Sequence, residues 1–104
     1  MTRMEIDLNA TLKAIANDKR LLILQWLKNP RKHFTSPHCD VQTKGVCVGL
    51  IEKKIGLSQS TVSHYLTQLQ RTGLITMNRE GQWTFCKINK KAINVFIKSL
   101  KDSL

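Results

Sequence analysis

Along the chain, apolar stripes of helical spacing alternate with short polar breaks. Leu8, Leu12 and Ile15 recur at i, i+4 and i+7, the mark of one buried face on a first helix. Asn17 or Asp18 offers the N-cap of a second helix. From Leu21 to Leu27 every residue but Gln25 is apolar, so this helix is expected to be buried on most sides, to form the centre of the core and to stop at Asn29-Pro30. Asn29 to Gly45 contains two prolines, charges of both signs and no sustained period, and reads as a loop. Structureless loops of that length are uncommon inside compact domains, so the segment is a functional insertion, hides a short element, or is drawn too wide.

Val48, Ile51 and Ile55 form the stripe of a short third helix, closed at Gly56 by a residue suited to left-handed backbone. Ser58 follows as the N-cap of a fourth helix spanning 58–73, which buries Val62, Leu66 and Leu69 with Tyr65 on the margin. Gly73 ends it, with Leu74 as the accompanying hydrophobic contact. Leu74 to Arg79 and Gln82 to Ile88 alternate as two strands joined at Glu80-Gly81, a hairpin over 74–88. Asn89 caps a last helix whose stripe of Ala92, Ile93, Phe96, Ile97 and Leu100 is wider than one small core needs. The surplus is either a dimer seam or a well-covered core face.

Four helices, two strands and a helix make a mainly α fold with a β-hairpin wing, one domain over residues 1–104. Two short helices joined through "IGLSQ" and followed by a hairpin give a winged helix-turn-helix. In such a unit the second helix of the pair presents its N-terminal residues to the DNA major groove, where base edges offer hydrogen-bond donors and acceptors. Gln59, Ser60, Thr61, Ser63, His64 and Thr67 are side chains of that kind, neutral and hydrogen-bonding. Glu and Lys are the commoner coat of a solvated helix face, so this choice favours DNA contact over simple exposure. Charge belongs on the flanks, and Arg71, Arg79, Lys87 and the lysines about the last helix supply it for phosphates, with Gln82 at the wing.

Composition supports a polyanionic partner: 17 Lys and Arg against 7 Asp and Glu give a net charge of +10. The N-terminus lacks an apolar run of signal-peptide length, and nowhere do 18 apolar residues follow one another, so a cytoplasmic protein without membrane contact is expected. Catalysis is not expected. Ser63 and His64 are adjacent, but neighbours on a helix point about 100° apart, and the chain has no Gly-rich phosphate loop, paired catalytic carboxylates or HExxH motif.

The run "LSQSTVSHYLTQLQRTGLI", preceded by "DKRLLILQWL" and followed by "REGQWTFCKI", resembles the ArsR/SmtB family of bacterial winged-helix repressors. The resemblance covers nearly the whole chain except the long loop. It implies a homodimer built through the first and last helices, binding double-stranded DNA at palindromic operators until an inducer weakens the grip. It also implies base readout by Gln59, Ser60, Ser63 and His64, with a wing tip at Arg79 to Gln82.

Three cysteines, an odd number, argue against a disulfide framework and leave metal binding, redox chemistry or burial. The family's zinc site between last helices uses Asp, His and Glu, whereas Asn89 to Leu104 has no His and only Asp102 among the acids. Its Cys-x-Cys site at the start of the third helix is half present, with Cys47 in the first position and Gly49 in the second. A site for zinc, arsenite or another soft ion rebuilt from Cys47, Cys39 and His38 or His33 has acceptable ligands but no supporting spacing. The competing switch is thiol chemistry, with Cys39 activated by Lys44, His38 and Arg31, reacting with an oxidant, persulfide or electrophile and resolved by Cys47. Cys86 alternates with Phe85 on a strand and reads as a small buried hydrophobe. His33, Phe34 and His38 are expected to pack the loop on the second helix, and Trp26 and Trp83 to pack core and wing. A constitutive regulator without an inducer and a winged-helix protein-docking module are the alternative functions. The docking module predicts a monomer that binds DNA weakly.

Overall fold

The computed structural model describes residues 6–104, and the first five residues, part of the stretch read as free of a signal segment, lie outside it. Helices α1 (Leu8–Ile15), α2 (Asp18–Lys28) and α3 (Pro30–His33) precede a two-residue strand β1 (Val46–Cys47). Helices α4 (Val48–Ile55) and α5 (Gln59–Arg71) follow, then strands β2 (Ile75–Glu80) and β3 (Trp83–Ile88) and helix α6 (Lys90–Ser103). Local chemistry sets the boundaries. Asp7 accepts from the Ala10 N–H, Asn17 from those of Lys19 and Arg20, Ser58 from that of Thr61 and Asn89 from that of Ala92, so each of these helices has an orphan donor satisfied at its start. Asn17, not Asp18, is therefore the cap of α2.

The 29–45 segment is more ordered than its sequence indicates. Pro30 ends α2 and also occupies the first position of α3, where its missing N–H and fixed φ are tolerated, so the described residues form six helices instead of the five read from the sequence. Further on, Asp40 to Gly45 folds into a turn closed by the Lys44 N–H to the Asp40 carbonyl at 2.9 Å. Val46 and Cys47 then pair antiparallel with Cys86 and Phe85, which extends the hairpin to a three-stranded sheet in the order β1-β3-β2. The hairpin register pairs Glu80 with Trp83, so its connecting residues are Gly81-Gln82, one position later than the Glu80-Gly81 read from the sequence.

The core lies where α2, α4, α5 and the sheet meet. Ile23, Ile51, Val62, Leu66, Leu69, Leu74, Ile75, Val46 and Cys86 are almost wholly buried. α2 contributes one face only: Ile23, Leu24 and Leu27 are buried, whereas Leu21 is 40% exposed, so the expectation of a helix buried on most sides is not met. Phe34 is buried and meets the Trp26 ring edge-on with centroids 5.9 Å apart, while His33 stands 6.5 Å from the same ring. His38 does not share that packing. Its ring lies 5.8 Å from that of Trp83 on the wing.

Candidate nucleic-acid interface

Helix α5 buries Val62, Leu66 and Leu69 and so turns the opposite side outward. Gln59, Ser60, Ser63 and His64 are all exposed at its N-terminal half, as are Arg71 at its end and Arg79 and Gln82 on the hairpin. Gln59, Ser60 and Ser63 share one groove with Arg79, Gln82 and Trp83, which brings the first turns of α5 and the wing to the same face of the molecule. His64 and Arg71 lie outside that groove. Arg71 instead borders a depression with Lys13, Arg20 and Gln68.

Not every hydroxyl and amide on α5 is free to face outward. Thr61 accepts from Ser58 Oγ at 2.7 Å and is half-buried, which ties its hydroxyl to the N-cap. Thr67 donates its hydroxyl to the Ser63 carbonyl at 2.9 Å, back along its own helix. Gln68 accepts from Arg20 Nη1 at 3.0 Å. Arg20 also donates through Nε to the Ala14 carbonyl at 2.5 Å and through Nη2 to the Lys13 carbonyl at 3.2 Å, and its guanidinium lies 5.3 Å from the centre of the Tyr65 ring. One arginine thus joins the C-terminus of α1, where a cation is favoured by the free carbonyls, to the outer side of α5. Its position at the start of α2 carries no sequence signal for this role.

The cysteines occupy three environments. Cys86 is fully buried in β3, and burial, with a smaller contribution from Cys47, pushes its thiol up to about 12. Cys39 and Cys47 are half-buried and line one cleft with His38, Lys44, Trp83 and Phe85. Of the three groups expected to activate Cys39, Arg31 and Lys44 are paired with carboxylates, while His38 lines the same cleft as Cys39. Arg31 grips Asp40 through two contacts of 2.6 and 3.2 Å, and that hydrogen bond, helped by the Gln42 N–H, holds the Asp40 carboxyl below its ordinary range. Lys44 pairs with Glu80 and lies 5.4 Å from the Phe85 ring centre. Among the described residues no three His, Cys, Asp or Glu side chains are grouped closely enough to hold a metal ion. No helix among the described residues is long and apolar enough to cross a membrane.

The family model for bacterial regulatory proteins of the arsR family matches residues 43–77, from the turn before β1 into β2. The HTH-type transcriptional regulator YbzH of Bacillus subtilis is 47% identical over 94 residues, covering 88% of this chain and 93% of that protein. A putative arsenical resistance operon repressor, ArsR2 of Halobacterium salinarum, is 32% identical over 99 residues, covering 95% of this chain and 71% of that one. The solved structure of HlyU from Vibrio cholerae superposes with a TM-score of 0.62 at 30% identity, covering 88% of this chain and 85% of that one. HlyU is named a transcriptional activator and ArsR2 a putative repressor.

Proposed function

Because the chain belongs to the ArsR family of bacterial regulatory proteins and is a DNA-binding transcriptional regulator, we propose that it is a homodimeric repressor reading a short palindromic operator in the cytoplasm. The observation that carries this reading is the placement of exposed, uncharged Gln59, Ser60 and Ser63 in one groove with Arg79 and Gln82 of the wing, on a chain of net charge +10. Hydrogen-bonding side chains at a helix N-terminus suit base edges, and the basic residues around them suit phosphates. His64 and Thr61 flank the reading set, while Thr67 and Arg71 continue along the helix towards the backbone. A bound dimer represses most simply by occupying DNA that polymerase needs.

Self-association is supported by the faces of α1, α2 and α6. Leu12, Leu21 and Ile97 are 38, 40 and 54% exposed, and a groove between α2 and α6 runs beside Leu21 and Ile97. Such an apolar set on a small basic domain fits a subunit interface. Ile97→Asp is expected to weaken dimerisation by about 2 kcal/mol, roughly thirtyfold, read by sedimentation across a concentration series. A variant that stays as dimeric as the wild type would remove α6 from the interface.

Induction is proposed to act at Cys39 and Cys47 through thiol chemistry. The reading as a whole is tested by anisotropy with DNA from upstream of the chain's own gene, against a scrambled duplex and across salt. Arg79→Ala is expected to weaken both duplexes alike and to lower the salt slope by about 1.8, one phosphate contact from each subunit of the dimer. If the native protein shows no preference for the upstream DNA and is monomeric, the docking-module reading replaces this one.

A further inference from the structure

The cleft that holds Cys39 and Cys47 lies between the 36–45 segment, the start of α4 and the wing, and its volume is about 470 Å³. That is enough for a molecule of one or two rings. Its walls are unusual for a surface depression on so basic a chain. Trp83 and Phe85 supply flat apolar surface, His38 stands 5.8 Å from Trp83, and Lys44 is neutralised by Glu80. Two half-buried thiols, those of Cys39 and Cys47, also line it. A cleft of aromatic walls and sulfur nucleophiles, without a converging ligand set for an ion, suits a flat, soft carbon electrophile.

We propose that this cleft is a binding site for quinone-like electrophiles and that Cys47 is the residue they modify, an inference that rests on the regulatory reading above only for its effect on DNA. Cys47 is the N-cap residue of α4, at a helix end whose free N–H groups favour negative charge. Its Sγ electron pair forms a bond to the ring carbon β to one quinone carbonyl, the carbon–carbon π pair shifts toward that carbonyl, and the C=O π pair goes to its oxygen, which takes the thiol's proton. The hydrogen on the attacked carbon then leaves as a proton, the second carbonyl oxygen takes one up, and the ring becomes aromatic. The product is a hydroquinone thioether. The thiol adds across the quinone, the quinone is reduced to the hydroquinone level, and no other oxidant is required.

The coupling to DNA is geometric. Cys47, Gly49 and Trp83 line the electrophile cleft and also the groove containing Gln59, Ser60, Ser63 and Arg79. The wing wall is therefore shared. An adduct on Cys47 fills space against Trp83 and displaces the hairpin from the position that lets Arg79 and α5 meet DNA together.

Incubating the full reduced chain with one equivalent of methyl-1,4-benzoquinone, followed by intact-mass measurement and peptide mapping, tests the site. Anisotropy on the upstream duplex before and after treatment tests the coupling. The expected result is one adduct at Cys47, absent in Cys47→Ser and retained in Cys39→Ser, with operator affinity falling about tenfold on treatment. In Cys47→Ser the ratio of treated to untreated affinity should stay near one. Modification of Cys39 or Cys86 ahead of Cys47, or a Cys47 adduct that leaves operator affinity unmoved, overturns the proposal. So does release by a hydroperoxide, zinc or arsenite with no response to the quinone. If Cys47 alone takes the quinone in a protein that never preferred the upstream duplex, the site stands and the regulatory reading falls.

Discussion

Gln59→Ala and Ser63→Ala are each expected to reduce operator affinity by about 1–3 kcal/mol, fivefold to more than a hundredfold, while leaving affinity for random duplex nearly unchanged. Both side chains are exposed in the groove between α5 and the wing. Neighbours of similar chemistry supply the contrast. Thr61 is tied to the Ser58 cap and Gln68 to Arg20, so Thr61→Ala acts mainly through capping, at about 1 kcal/mol of stability, and Gln68→Ala mainly through the seating of α5. Titrating operator and scrambled duplex in parallel, with urea melts of each variant, separates these effects. Loss of equal size on both duplexes would mean that Gln59 and Ser63 touch backbone instead of bases. No loss on either would mean that α5 does not enter the groove of the DNA.

The parts of this molecule that were legible in the sequence are those set by local rules. Ser58 caps α5 and Val62, Leu66 and Leu69 repeat at helical spacing, so both the helix and its outward face follow from about fifteen residues. Strand β1 was not legible. Two residues carry no period, and Val46-Cys47 become a strand only because Cys86 and Phe85, forty residues away, offer a free edge. Phe34 packs on Trp26 of α2 as its place in the loop suggests, whereas His38, four residues on, packs on the wing at Trp83. Pro30 was ambiguous in a physical sense, since the same ring that stops one helix opens the next. Arg20 shows the limit most plainly. Its partners are main-chain carbonyls of α1 and side chains 45 and 48 positions away, and neither charge nor spacing announces such a contact. The two-thiol cleft is nonlocal in the same way, because tertiary pairing of the 36–45 segment with the wing creates it.

Gly45→Ala is expected to destabilise the fold by about 2–4 kcal/mol, more than any exposed substitution in the winged-helix face. Gly45 has φ of 107°, a value L residues rarely adopt, and a Cβ built there meets the Cys86 carbonyl oxygen and Lys87 Cγ at 2.9 Å. Lysine can swing aside, but the carbonyl belongs to the central strand of the sheet and cannot. Gly56→Ala is the control, because Gly56 also has positive φ, 71°, yet nothing lies within 4 Å of its missing Cβ. It should lose only the backbone term, about 1 kcal/mol. The difference between the two in urea unfolding therefore measures the close approach of the 40–45 turn to β3. That approach seats β1 and hence Cys47, so Gly45→Ala should also slow the reaction of Cys47 with quinone relative to Gly56→Ala at a temperature where both are folded. Equal destabilisation by the two substitutions would show that the turn yields freely, and that Cys47 is held by something other than its pairing with Phe85.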